Sequence, residues 1–231
     1  MGKMELGTIY CFEDFLSVVL NSSKGEDILF RGQCGKHSLL PGICRKKVSV
    51  EYVLKKEVEL LDEFKRRSEP YIKKECTDLE ILIYAQHFGL KTRLLDWTSN
   101  PLVALWFACQ HNSKENGYVY LLAPSEEFYV KNNEDPLNCR KTKVVKPLYN
   151  NERIIAQSGL FTIHPKPVKA DHFVPLDLNS SITDSLIEIK IPFRLKKEMI
   201  IVLDKLGINY LSMYPDVGGL CSYLNWRYLE E

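Results

Sequence analysis

The sequence contains no uninterrupted apolar run approaching the ~20 residues that a membrane-spanning helix requires. Residues Met1 to Tyr10 lack the basic and apolar regions of a signal peptide. An excess of either charge is also missing: 31 Lys and Arg face 30 Asp and Glu, a formal net charge of +1. Bulk attraction to a polyanion is therefore excluded, which leaves room only for a local basic groove. The seven cysteines form no CxxC pair and no tight Cys/His cluster, so neither a zinc site nor any other metal is expected. An odd, scattered set of thiols reads as reduced cysteine in a cytoplasmic protein. GxGxxG after a strand, the P-loop, HExxH and GxSxG are all absent, against Rossmann oxidoreductases, NTPases, zinc proteases and serine hydrolases.

A hydrophobic fraction of 45% with 26% charged residues is that of a globular protein with a sizeable core. Residues 9–20 read as an amphipathic helix, followed by a turn over Asn21–Asp27 and a short buried strand over Ile28–Arg31. A long helix spans Ser49–Arg67. Thr77 with Glu80 is a capping box for a helix that Gly89 ends. Lys91–Thr98 is strand or loop. Asn100 and Pro101 open a helix apolar on nearly all sides. Tyr118–Ala123 and Leu186–Ile191 read as strands. Two further short strands are expected around Ser158-Gly159, one through Ile154 and Ile155, the other through Phe161 and Ile163. The segments Pro124–Cys139 and Pro165–Pro175 are loops. Helices follow over Phe193–Leu206 and from Pro215 to about Leu229. Strands and helices in mixed order predict an α+β fold, and no linker divides the chain, so residues 1–231 are expected to form one domain.

Three segments carry more polar groups than packing requires. In Phe30-Arg31-Gly32-Gln33 an arginine ends a buried strand, which is costly unless its guanidinium meets an anion or carbonyls. The glycine either lets backbone approach a ligand or merely makes a turn. In Gln86-His87-Phe88-Gly89 and Thr92-Arg93-Leu94-Leu95-Asp96-Trp97-Thr98, buried polar groups need partners. Either Arg93 pairs with Asp96 and Thr98 caps the next helix, or Asp96, Trp97 and Thr98 wall a cleft in which Trp97 stacks on a planar ring. Arg153 and Gln157 are the polar members of the third segment, with strand–turn–strand as the plain alternative. His37, His111, His164 and His172 read as surface or loop residues.

These segments resemble the FRG domain family, through Phe30-Arg31-Gly32, the block from Gln86 to Ala108, Arg153 to Phe161, and Gly207 to Leu220. A more distant similarity is to ADP-ribosyltransferases of the arginine–serine–glutamate subclass. Phe30-Arg31-Gly32 is similar to their first strand. Asp96-Trp97-Thr98 with Ala104 and Phe107-Ala108 is similar to the second element, and Glu152–Gly159 to the third. That similarity implies a mixed or antiparallel sheet of the ADP-ribosyltransferase-like type, flanked by helices, and NAD as substrate. It implies Arg31, Asp96, Thr98 and Arg153 as catalytic, with Arg31, Gly32, His87, Thr92, Trp97 and Gln157 holding NAD. Arg31 would grip the diphosphate, Gly32 backbone would receive the nicotinamide amide, and Thr98 or Asp96 would steady the ribose. The sequence departs from the pattern where the catalytic glutamate should stand: Arg153 occupies that position. Glu152 beside it would face the other way in a strand.

The expected activity is an NAD-dependent transferase acting on nucleic acid or protein, as a toxin or antiviral defence effector, with an antitoxin as partner. Two alternatives stay open: a non-catalytic nucleotide or nucleic-acid binding module using Arg31, Arg93 and Arg153, and RNA processing in an Arg- and His-lined pocket.

Overall fold

Alternation from Ile187 to Ile191 and an apolar run in Gly117–Leu122 make two strands that pair side by side in one sheet. The computed structural model describes residues 4–22, 27–46, 48–72, 76–111, 114–131, 134–149, 151–167, 171–179, 182 and 186–230. In chain order the strands are β1 (Met4–Thr8), β2 (Leu29–Gln33), β3 (Leu94–Thr98), β4 (Gly117–Leu122), β5 (Lys143–Val145), β6 (Gly159–Ile163) and β7 (Leu186–Ile191). They form a seven-stranded sheet in the order β1-β7-β4-β2-β3-β6-β5. Every neighbouring pair is antiparallel except β1 with β7. The α+β class is as expected. Edge strand β1 gave no periodic signal in the sequence.

The helices are α1 (Phe12–Ser22), α2 (Val50–Ser68), α3 (Asp78–His87), α4 (Pro101–Cys109), α5 (Glu152–Ala156), α6 (Lys196–Lys205), α7 (Tyr210–Met213) and α8 (Val217–Asn225). Their ends follow local side-chain chemistry, anticipated for α3 and α4 and shown by the structure for α2. Ser49 accepts from Tyr52 N, Thr77 and Glu80 form the capping box, and Asn100 accepts from Leu102 N ahead of Pro101. Gly89 and Gly207 take positive φ after α3 and α6. The last helix starts two residues later than expected, because Asp216 caps it through Gly219 N. Of the turn expected over Asn21–Asp27, residues 23–26 lie outside the described residues.

One expectation fails. Ile154 and Ile155 lie in α5, not in a strand. Asn151 caps this helix by accepting from Arg153 N, Ile154 is buried and Ile155 is 56% exposed, as one turn of helix requires and a doubly buried strand does not. Ser158, at φ 47°, then turns the chain into β6. The strand-register argument about Glu152 and Arg153 therefore does not apply: both are helical, and Glu152 is exposed.

The two sheet faces are filled differently. On one face Leu29, Leu95, Trp97, Tyr120, Leu122 and Leu186 pack beneath loop residues such as Leu39, Phe128 and Leu176. The other face carries helices in two groups. Helices α1, α4, α6 and α7 cover Phe30, Val119, Leu121, Ile189 and Ile191. Helices α2, α3 and α5 cover Leu94, Val145, Phe161 and Ile163. The line between the groups runs along β2 and β3, and those strands share a single register pair, Phe30 with Thr98.

Candidate functional site

A cavity of about 300 Å³ opens on that line. Strand β2 supplies Phe30, Arg31 and Gly32, and β3 supplies Asp96, Trp97 and Thr98. One wall comes from α4 and the segment after α7 (Val103, Phe107, Tyr214), the other from α3 and α5 (Gln86, His87, Arg153, Gln157). Nearly every residue singled out from the sequence converges here, although more than 120 positions separate Arg31 from Gln157.

Arg31 spans the opening between β2 and β3. Its Nη1 donates to the Asp96 carbonyl at 2.7 Å and lies 3.7 Å from Asp96 Oδ2. Its Nε is buried and has no hydrogen-bond partner among the described residues. Burial presses the guanidinium pKa below its ordinary value, while the Asp96 charge opposes that shift. An unpaired buried donor is costly, so Arg31 Nε keeps the capacity to donate to an oxygen from outside the described residues.

Asp96 is oriented by its neighbours. Gln86 Nε2 donates to Asp96 Oδ1 at 2.6 Å, and Gln86 Oε1 accepts from the Thr92 hydroxyl. The Asp96 side chain is 62% exposed. Thr92 is thus a positioning residue behind the wall, buried and not part of the lining, which corrects its expected place against NAD.

Arg153 lies across the cleft mouth. Its Nη2 donates to Asp216 Oδ2 at 2.5 Å, and its guanidinium sits 5.3 Å from the Tyr214 ring and 5.9 Å from the Phe88 ring. The hydrogen bond from Arg153 holds the Asp216 carboxyl below its usual range. His87 is held below the ordinary histidine value, first by burial and then by the Arg153 charge, so it enters as neutral imidazole. Its Nε2 is buried without a partner among the described residues.

Other expectations need correction. The Trp97 indole cannot stack on a ligand: it is 3% exposed in the core of the opposite face, with Nε1 donating to Thr162 Oγ1 at 2.9 Å. Alternation along β3 sends it away from Asp96 and Thr98. The Thr98 hydroxyl is committed to the fold, donating to the Gln157 carbonyl at 2.6 Å and accepting from Asn100 N. Gln157 Nε2 likewise donates to the Met213 carbonyl. Gly32 has a packing role, since a Cβ there would lie 1.8 Å from the Ala104 carbonyl oxygen of α4. Arg93 neither pairs with Asp96 nor reaches the cleft. It is buried against the Glu57 carboxylate, with Nη1 and Nη2 donating to the His164 and Leu137 carbonyls at 3.3 and 3.0 Å. His164, read as a surface or loop residue, does lie in the loop after β6, but it is buried there rather than at the surface.

Sequence reading missed Gln86, Phe107, Tyr214 and Asp216 as members of the site. Gln86 adjoins His87 within the polar segment. Tyr214 and Asp216 stand in the closing Pro-Asp run, whose purpose shows only once it meets Arg153. Among the described residues no group of three or more His, Cys, Asp or Glu side chains could hold a metal ion. No described helix is long and apolar enough to cross a membrane.

Residues 26–117 match the family model of the FRG domain. That segment supplies Arg31, Gln86, His87 and Asp96, whereas Arg153, Gln157 and Tyr214 complete the cleft from beyond it. No curated protein and no solved structure matches the chain.

Proposed function

From the FRG domain at residues 26–117, we propose that the cleft binds NAD and breaks its nicotinamide–ribose bond, transferring ADP-ribose to an acceptor, on an ADP-ribosyltransferase-like sheet. The observation that carries this reading is the meeting of Arg31, Asp96 and Arg153 at one cavity. A volume near 300 Å³ lies at the small end of ligand pockets and suits the nicotinamide–ribose half, with the diphosphate leaving along the open side. Arg31 Nε donates to a diphosphate oxygen. Phe107 and Tyr214 give the ring an apolar wall. Asp96, steadied by Gln86, stands in for the glutamate that the sequence lacks. Its charge stabilises the oxocarbenium-like state as the C–N bond electrons pass to the nicotinamide ring. The acceptor then bonds to the anomeric carbon and its proton passes to Asp96.

The test is release of nicotinamide from NAD in the presence of nucleic-acid and protein acceptors. Wild-type protein releases it. Asp96→Asn binds NAD yet turns over at least ~100-fold more slowly, and Arg31→Ala loses binding. Absence of turnover by folded wild-type protein with every acceptor overturns the proposal. Arg153, a cation beside the reacting centre, favours a second reading: a module that holds a nucleotide without consuming it. Thermal stabilisation by NAD with no product would select that reading.

A further inference from the structure

A second cavity, of about 470 Å³, lies directly beyond the first. Phe30 lines both, and Ser99, which lines the second, follows Thr98 of the cleft. Its polar wall is Asp27, Tyr129 and Lys146, with Tyr149 at the rim. Lys146 Nζ donates to Asp27 Oδ2 at 2.9 Å and stands 4.6 Å from the centre of the Tyr129 ring. The two charged side chains are 58% and 73% exposed, and Tyr149 is 67% exposed. The Tyr129 hydroxyl is buried with no partner among the described residues.

A carboxylate accepts through two oxygens and an ammonium donates three hydrogens, so this pair keeps unused capacity beside an exposed aromatic ring. We infer that the cavity is a nucleobase subsite that takes an unpaired guanine of a single-stranded nucleic acid. Guanine alone among the bases presents two adjacent donors, N1–H and the exocyclic amine, next to a carbonyl acceptor. Asp27 accepts from the two donors, Lys146 donates to O6, and the ring stacks on Tyr149. Adenine places an acceptor where Asp27 needs a donor. The edge is reachable only when the base is out of a duplex, hence a single strand. Given the reading of the neighbouring cleft, this subsite presents the acceptor strand to the anomeric carbon across Phe30. The class of substrate is then a guanine-bearing strand.

The experiment needs no NAD, so its outcome is separate from that of the turnover assay. Fluorescence anisotropy is measured for a labelled oligothymidine ten-mer carrying one central dG and for another carrying dA. The dG strand should bind at least tenfold more tightly. Asp27→Asn should erase the preference, and Tyr149→Ala should weaken both strands. Both positions are exposed, and melting temperatures confirm that the variants fold. Equal affinity for the two strands, no binding, or a preference that survives Asp27→Asn would overturn the inference, even if NAD is consumed.

Discussion

His164 is a histidine that burial keeps uncharged: its pKa is pushed down to about 4 from an ordinary 6.5, chiefly by desolvation. An unfolded chain takes up the proton below pH 6.5, whereas the folded one does so only near pH 4. The stability this residue allows is therefore complete above pH 6.5 and is lost as the pH falls through the window between those values. The full loss is about 3 kcal/mol. Replacing His164 with phenylalanine, similar in bulk and without a titrating group, should flatten this part of the profile. Urea unfolding at pH 7, 5.5 and 4.5 compares the two proteins; parallel profiles would contradict the assignment. Single residues also show where sequence reading reached its limit. Arg31 is the middle residue of β2 rather than the end of the strand, yet the need of a buried guanidinium for an oxygen was legible: the Asp96 carbonyl meets it at Nη1, while Nε has no partner among the described residues. Nothing in the same sequence distinguished Arg93 from Arg31 or Arg153. Which guanidinium is consumed by an internal carboxylate depends on where α2 brings Glu57.

Strand β2 and helix α4 are held at a distance that only glycine permits. A Cβ on Gly32 would meet Ala104 O at 1.8 Å and Ala108 N at 2.7 Å, and these backbone atoms cannot step aside singly. Gly32→Ala should cost about 3 kcal/mol, the upper end for overpacking, and should lower the melting temperature by roughly 6–12 °C. Calorimetry checks this, and a shift under about 2 °C would mean that α4 slides freely on the sheet. Helix boundaries were legible because caps are local: Thr77, Asn100 and Gly89 act within four residues of themselves. The α5 segment was misread for a physical reason. Five residues with two adjacent isoleucines carry no period, and β-branched residues favour strands, so the Asn151 cap was the sole helical signal. That cap matters to the cleft, since α5 carries Arg153 toward Asp216.

The molecule as a whole is knitted by an ion pair that lines neither of the two cavities described above. Glu57 of α2 binds Arg93 through both its backbone N–H and its guanidinium, and the same guanidinium reaches carbonyls of Leu137 and His164. Helix α2, the start of β3, the loop before β5 and the end of β6 are thereby joined. Glu57→Ala leaves a buried guanidinium unpaired and should destabilise the fold by about 3–5 kcal/mol. Chemical denaturation measures this directly. A loss below about 1 kcal/mol would show that water reaches Arg93 in the folded state. The sequence by itself determined what is local: the α+β order of elements, most caps and turns, and a short roster of polar residues too costly to bury without partners. Tertiary structure alone decided the roles within that roster. Pairing of β2 with β3 at one position, and the parting of the helices into two groups above it, opened the cleft where Arg31, Asp96 and Arg153 meet. The same packing turned Trp97 to the opposite face and gave Arg93 to Glu57. A side chain's environment is the sum of contacts from distant segments, and neither periodicity nor capping, which act within a few residues, carries that sum.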